Sequence, residues 1–154
     1  MTYCVAMALD EGMLFASDSR TNAGLDHVSS FCKMTVFEQA GQGVLVLLNS
    51  GNLATTQQVV SRLKAHAKQT DTPLTAMDSV FSVAELLGKH LRAVVNRTQE
   101  DSMGQSDVDF SATFLIGGQL KGEVPRLFMV YPQGNFIEST VDTPFFQIGE
   151  SKYG

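Results

Sequence analysis

A chain of 154 residues with 44% hydrophobic side chains and a mean hydropathy near zero carries enough apolar material for one core, and reads as a single globular domain over 1–154. Its 16 acidic and 11 basic residues leave a formal charge of −5 and are scattered, without the lysine and arginine clusters that phosphate contacts demand, so no nucleic acid partner is expected. No apolar run reaches the roughly 18 residues of a membrane helix, no basic and apolar leader opens the chain, and Cys4 and Cys32 lie outside any CxxC pattern, so the expectation is a cytoplasmic protein with buried thiols, no membrane partner and no zinc framework.

In "TYCVAMAL" the larger residues Tyr3, Val5, Met7 and Leu9 alternate with Cys4, Ala6 and Ala8, a period of two that predicts a strand. "MLFASDS" is a second strand, and Asp10-Glu11-Gly12 between them suits a three-residue hairpin loop, a type I turn closed by a left-handed glycine. That loop places Leu9 opposite Met13, Cys4 opposite Asp18 and Thr2 opposite Arg20. Thr2 and Asp18 then become diagonal neighbours on one face, roughly 7–8 Å apart. A two-residue turn at Glu11-Gly12 would send Asp18 to the other face, and the loop chemistry favours the first register.

After the polar loop "RTNAGLDHVSS", the segments "KMTVFEQ", "AGQG" and "VLVLLNS" predict a second hairpin. From Asn52 to about Lys68, Leu53, Val60, Leu63 and Ala67 fall on one helical face, with Ser50 or Asn52 as N-cap. "TDTP" breaks the chain, and a second helix from about Ala76 to Arg97 is marked by Met77, Val80, Phe81, Ala84, Leu87, Leu91 and Val94. "DFSATFLIGG", "RLFMVYPQ", "GNFIEST" and "FFQIG" are strands joined by glycine- and proline-containing turns. Strands, two consecutive helices, then strands suit helices packed on antiparallel sheets rather than a doubly wound sheet. The end, "FFQIGESKYG", leads from a strand into a new element, and the expectation is a C-terminally truncated form of a longer domain.

The common catalytic patterns GxSxG, GxxxxGK[ST], GxGxxG and HExxH are missing, and His27, His66 and His90 have no metal-ligand spacing, so neither metal nor cofactor is expected. Thr2 is the distinctive position. A small residue after Met1 permits removal of the initiator, which leaves an α-amine with a reference pKa of about 7.7–8.0 beside a hydroxyl it can deprotonate. Many chains begin Met-Thr, and it is the surrounding residues that raise the interest. Asp18 in "ASDSR" is a carboxylate near the terminus, or simply a strand-end cap of the next loop. Lys33 opens the third strand as a cation able to lower the pKa of a neighbouring amine or hydroxyl, or as a solvated edge lysine. Gly51 in "NSGNLA" has an N–H suited to an oxyanion, or marks a plain strand-to-helix turn.

Thr2 at the head of the first strand, Asp18 in "ASDSR", Lys33 in "CKMTVF" and Gly51 in "NSGNLA" together resemble the proteasome β-subunit superfamily of N-terminal nucleophile hydrolases, most specifically over the first 55 residues. The resemblance implies an α+β fold, a four-layer αββα sandwich here lacking its C-terminal portion. It implies a threonine peptidase that acts through an acyl-enzyme on Thr2, with the α-amine as base directly or through a water. Lys33 would tune the nucleophile, Asp18 would hold Lys33, and the Gly51 N–H would bind the oxyanion. Ser151 in "IGESKYG", allowing a one-residue shift, would assist the terminal amine. Peptides or unfolded chains would be the substrates, and self-assembly into rings or stacked shells would hide the sites. With no propeptide ahead of Thr2, activation would need only methionine removal. An amidohydrolase of the same fold acting on a small amide, and a non-catalytic shell subunit, are the alternatives.

Overall fold

The computed structural model describes residues 2–22, 28–101 and 109–150. In chain order the elements are β1 (Tyr3–Leu9), β2 (Gly12–Ser17), β3 (Arg20–Asn22), β4 (Val28–Ser30), β5 (Met34–Gln39), β6 (Gly43–Gly51), α1 (Leu53–Gln69), a single 3₁₀ turn (Leu74–Ala76), α2 (Val80–Asp101), β7 (Ala112–Leu120), β8 (Arg126–Val130), β9 (Phe136–Glu138) and β10 (Phe145–Gly149). Two sheets carry the fold, both antiparallel: a large one in the order β5-β6-β7-β8-β9 and a small one in the order β10-β1-β2. The segment "RTNAGLDHVSS", expected as a polar loop, instead contributes β3 and β4, whose backbones pair with each other in a two-stranded antiparallel ladder.

Alternation along the central strands divides the core in two. Leu45 and Leu47 of β6, with Phe114 and Ile116 of β7, face α1 and α2 and pack on Val59, Leu63, Leu87 and Leu91. Their neighbours Leu48 and Leu115 point the other way and meet Cys4, Ala6, Phe146 and Ile148 of the small sheet. A strand buried on both faces has no polar side to show, which is why "VLVLL" and "TFLIGG" read as continuous apolar runs. The result is an α+β fold of two helices on two stacked sheets.

The first hairpin differs from its expected register. Leu9 pairs with Gly12 and Ala8 with Met13, so the loop is the two-residue Asp10–Glu11 turn and Cys4 faces Ser17 rather than Asp18. Gly12 does adopt a positive φ of 151°, but it does so as the first residue of β2 and inside the ladder. Packing explains the choice, because this register puts Met13 and Phe15 on the face of Cys4 and Ala6, where the second core needs them. Asp18 consequently lies opposite Tyr3, to whose carbonyl its N–H donates, and not on the face of Thr2.

Both helices form where expected but turn somewhat differently. Asn52 caps α1, its side chain accepting from the Thr55 N–H. The buried face is Thr55, Thr56, Val59 and Leu63, while Leu53, Val60 and Ala67 are only half-buried. The threonine hydroxyls donate to the carbonyls of Phe110 and Leu53, and so become buried despite their polarity. In α2 the start moves to Val80, behind Ser79, whose hydroxyl accepts from the Ser82 N–H. Phe81 is 42% exposed and Val83 takes the core position instead.

Candidate active site

The site is assembled where the starts of β1 and β5 meet the end of β6. Thr2 leads into β1 and is half-buried. Its carbonyl accepts from the Glu150 N–H at 3.0 Å, and Gly149, at φ 128°, lies so close that an added Cβ would overlap the Thr2 carbonyl. The end of β10 is thereby tied to the residue that would become the N-terminus. Ser151 lies outside the described residues, as do Met1 and His27.

Asp18 and Lys33 do meet. Lys33 Nζ donates to both carboxylate oxygens of Asp18, at 2.9 Å to Oδ1 and 2.8 Å to Oδ2. Oδ1 also accepts the Tyr3 N–H at 2.8 Å. One carboxylate oxygen therefore touches both the ammonium and the amide that joins Thr2 to Tyr3. The expected face was wrong and the expected neighbourhood right: beyond the last ladder residue, Ser17, the aspartate folds back over the strand end instead of standing perpendicular to it. Lys33 is 5% exposed, so its charge is held in a low-dielectric setting where a partner matters.

Gly51 ends β6 with φ 103°, and a Cβ there would stand 2.5 Å from the Ser111 carbonyl oxygen. Because the Asn52 N–H donates to Ser111, the Gly51–Ala112 pair is a wide one, and the Gly51 N–H points away from β7. It faces the same side as the Asn49 N–H, which donates to the Lys33 carbonyl. Glycine also leaves this N–H unshielded by a side chain, and the residue is exposed. A cavity of about 260 Å³ opens between β5, the end of β6 and the first turns of α1, lined by Cys32, Thr35, Asn49, Leu53, Thr56 and Gln57 among others.

The two thiols are dissimilar, against the expectation that both are buried. Cys32 is exposed, whereas Cys4 is fully enclosed next to the ion pair. Burial, reinforced by the Asp18 charge and only partly offset by Lys33, pushes the Cys4 thiol up to about 11. It is thus a poor nucleophile despite its position two residues from Thr2. His66 and His90 stand edge to face across the two helices at 5.9 Å between ring centres, a proximity their spacing did not announce. Among the described residues, no group of three or more histidine, cysteine or acidic side chains is arranged to hold a metal ion. The residue missed by sequence reasoning is Asn49. Its signal was a polar side chain ending the row Leu45, Leu47, Asn49 on the helix-facing side of β6.

The family model for proteasome subunits matches residues 2–153. The chain belongs to the proteasome subunit family. Within that family it is similar to Anbu, the bacterial proteasome homologue: 53% identical to Anbu (ancestral beta-subunit) from Yersinia bercovieri, with a TM-score of 0.87 over 98% of this chain and 62% of that one. The helical assembly of the Anbu complex from Pseudomonas aeruginosa matches at 45% identity and a TM-score of 0.89, again over 98% and 62% of the two chains. An Anbu (Gly-1) mutant from Hyphomicrobium sp. strain MC1 matches at 45% identity and a TM-score of 0.86, over 99% and 62%. The proteasome-type chain described here therefore spans about 62% of the length of these Anbu structures. No curated protein matches it. No helix among the described residues is long and apolar enough to cross a membrane.

Proposed function

We propose that this chain carries the site of a threonine peptidase of proteasome type, with Thr2 as nucleophile once Met1 is removed. The observation that carries the reading is the Asp18 Oδ1 atom, shared between the Lys33 ammonium and the amide directly after Thr2. A fixed positive charge beside an α-amine favours the neutral amine, which is the form able to take the hydroxyl proton. The hydroxyl oxygen attacks the substrate carbonyl, the proton passes to the amine, and the oxyanion settles on the Gly51 N–H. Collapse expels the amine half of the substrate, which leaves with that proton, and the remaining ester on Thr2 is hydrolysed by water. Ser151 assists the amine in this reading. In this reading the cavity lined by Asn49 and Leu53, two residues to either side of Gly51 in the chain, receives the substrate side chain beside the scissile carbonyl.

Self-assembly belongs to the same proposal, since the Pseudomonas relative is named as a helical assembly. Stacking of subunits over the site would admit peptides and unfolded chains and keep folded proteins out. The 154-residue unit acts as one domain of that assembly, in the cytoplasm, where an exposed thiol such as Cys32 stays reduced. Intact-mass measurement of the full-length protein should show Met1 removed, and Thr2→Ala should abolish covalent labelling by an epoxyketone or a β-lactone. Retained methionine in protein that still cleaves peptides, or unchanged labelling of the alanine variant, overturns the mechanism.

A further inference from the structure

An asparagine in the row that Leu45 and Leu47 begin is costly unless its carboxamide is hydrogen-bonded, because that face of β6 is packed against the helices. Asn49 is 8% exposed, and its Nδ2 donates to the Lys33 carbonyl at 3.1 Å. The Asn49 backbone N–H donates to the same carbonyl at 3.0 Å. Both lone pairs of one peptide oxygen are thus taken by one residue. On its other side, the Asn49 carbonyl accepts from the Cys4 thiol at 3.5 Å, which ties the arrangement to β1.

The place where this happens gives it meaning. The β5–β6 ladder begins at Met34, so Lys33 stands just outside the regular pairing, at a strand end that would otherwise fray. A lysine side chain has four rotatable bonds, and an ammonium is held at a fixed point only if the main chain beneath it is held too. The geometry points to Asn49 as a positioning residue: its carboxamide anchors the Lys33 backbone so that the ammonium stays on Asp18, whose Oδ1 also accepts from the amide after Thr2. This rests on the reading of Lys33 as the charge that tunes the nucleophile. Asn49 also lines the cavity proposed to hold the substrate side chain; its action on the nucleophile is through Lys33, and the pH position of the labelling limb reads that action apart from any change in the limb's height.

The test uses the full-length protein with Asn49→Leu, which keeps the side chain's branching without its hydrogen-bonding groups, and Asn49→Ala, which cannot overpack. Reductive methylation of lysines, read by peptide mass spectrometry against the exposed Lys121, reports on Lys33 without requiring catalysis. Loss of a hydrogen bond of ordinary strength should raise the Lys33 modification rate about fivefold. In parallel, the rate of epoxyketone labelling at Thr2 is followed against pH. A displaced ammonium lets the α-amine keep its proton to higher pH, so the acid limb should move upward in both variants. Variants that melt like the parent and leave Lys33 equally protected overturn the proposal, as does a loosened Lys33 with an unmoved acid limb. If the parent protein is never labelled at Thr2, the peptidase reading falls, and the lysine footprint alone decides whether Asn49 holds Lys33.

Discussion

Lys33 and Asp18 show how much a few ångströms of side-chain reach matter near a strand end. Register parity puts Asp18 with Tyr3, and the carboxylate reaches the Thr2–Tyr3 peptide because it lies past the last ladder pair and turns back over the strand end. The same ion pair sets the character of Cys4, whose raised pKa reflects burial first and the aspartate second. At pH 8 the exposed Cys32 should therefore react readily with a maleimide or iodoacetamide while Cys4 does not. A shift from 9.0 to about 11 leaves roughly a hundredfold less thiolate, before burial blocks the reagent as well. Peptide mapping after a brief reaction checks this, and equal alkylation of both thiols would contradict the described packing. Raising the pH toward 11 should ionise Cys4 while its enclosure still keeps the reagent out.

At the level of elements, α2 approaches the β8–β9 turn without side chains between them. A Cβ on Gly88 would overlap the carbonyl oxygen of Gly134, which itself sits at φ 82°, and the Arg92 Nε donates to the neighbouring Gln133 carbonyl. Two effects compete in Gly88→Ala. Helix propensity favours alanine by about 1 kcal/mol, whereas a backbone clash that neither partner can relieve by a rotamer change costs typically 1–3 kcal/mol. The clash should win, and the variant should melt at a lower temperature than the parent; a Gly88→Ala protein of raised stability would show that the helix can slide. The glycine inside a helical pattern was visible in the sequence, but its reason was not, because the turn it meets lies more than forty residues away in the chain.

For the whole molecule, the outer face of the small sheet is the conspicuous feature. Leu14 of β2 is 45% exposed and Phe145 of β10 46%, with Leu9 at 55% and Tyr3 at 39% on the same three strands. Met7 pairs with both Leu14 and Phe145, so the row is continuous across the sheet. A contiguous apolar patch of this kind drives association in water. The 154-residue chain prepared by itself should therefore elute from a sizing column as aggregated or self-associated material. Leu14→Lys should shift it toward monomer, and a parent chain that runs as a sharp monomer would argue against a sticky face. The same substitution in the full-length protein tests whether that face is covered there, since a covered leucine resists lysine and the variant then loses stability.

The amino-acid order alone determined the two helices, most of the strands and the partners of the first and second hairpins, and it singled out Thr2, Asp18, Lys33 and Gly51, because periodicity, caps and turn chemistry are properties of neighbouring residues; the β3–β4 pairing within "RTNAGLDHVSS" and the return of β10 to β1 left no local signal. Tertiary structure decided the rest. Whether the glycine of Asp10-Glu11-Gly12 belongs to the loop or to the strand depends on which face of β2 finds a second sheet to pack on, and Met13 and Phe15 settle that against Leu48 and Leu115. Thr55 and Asn49 look polar in the chain and are buried in the fold, since carbonyl groups far away in the chain, those of Phe110 and Lys33, accept their hydrogen bonds. No local pattern records such partners, for the cost of burying a polar group is removed only by whatever the completed fold places opposite it.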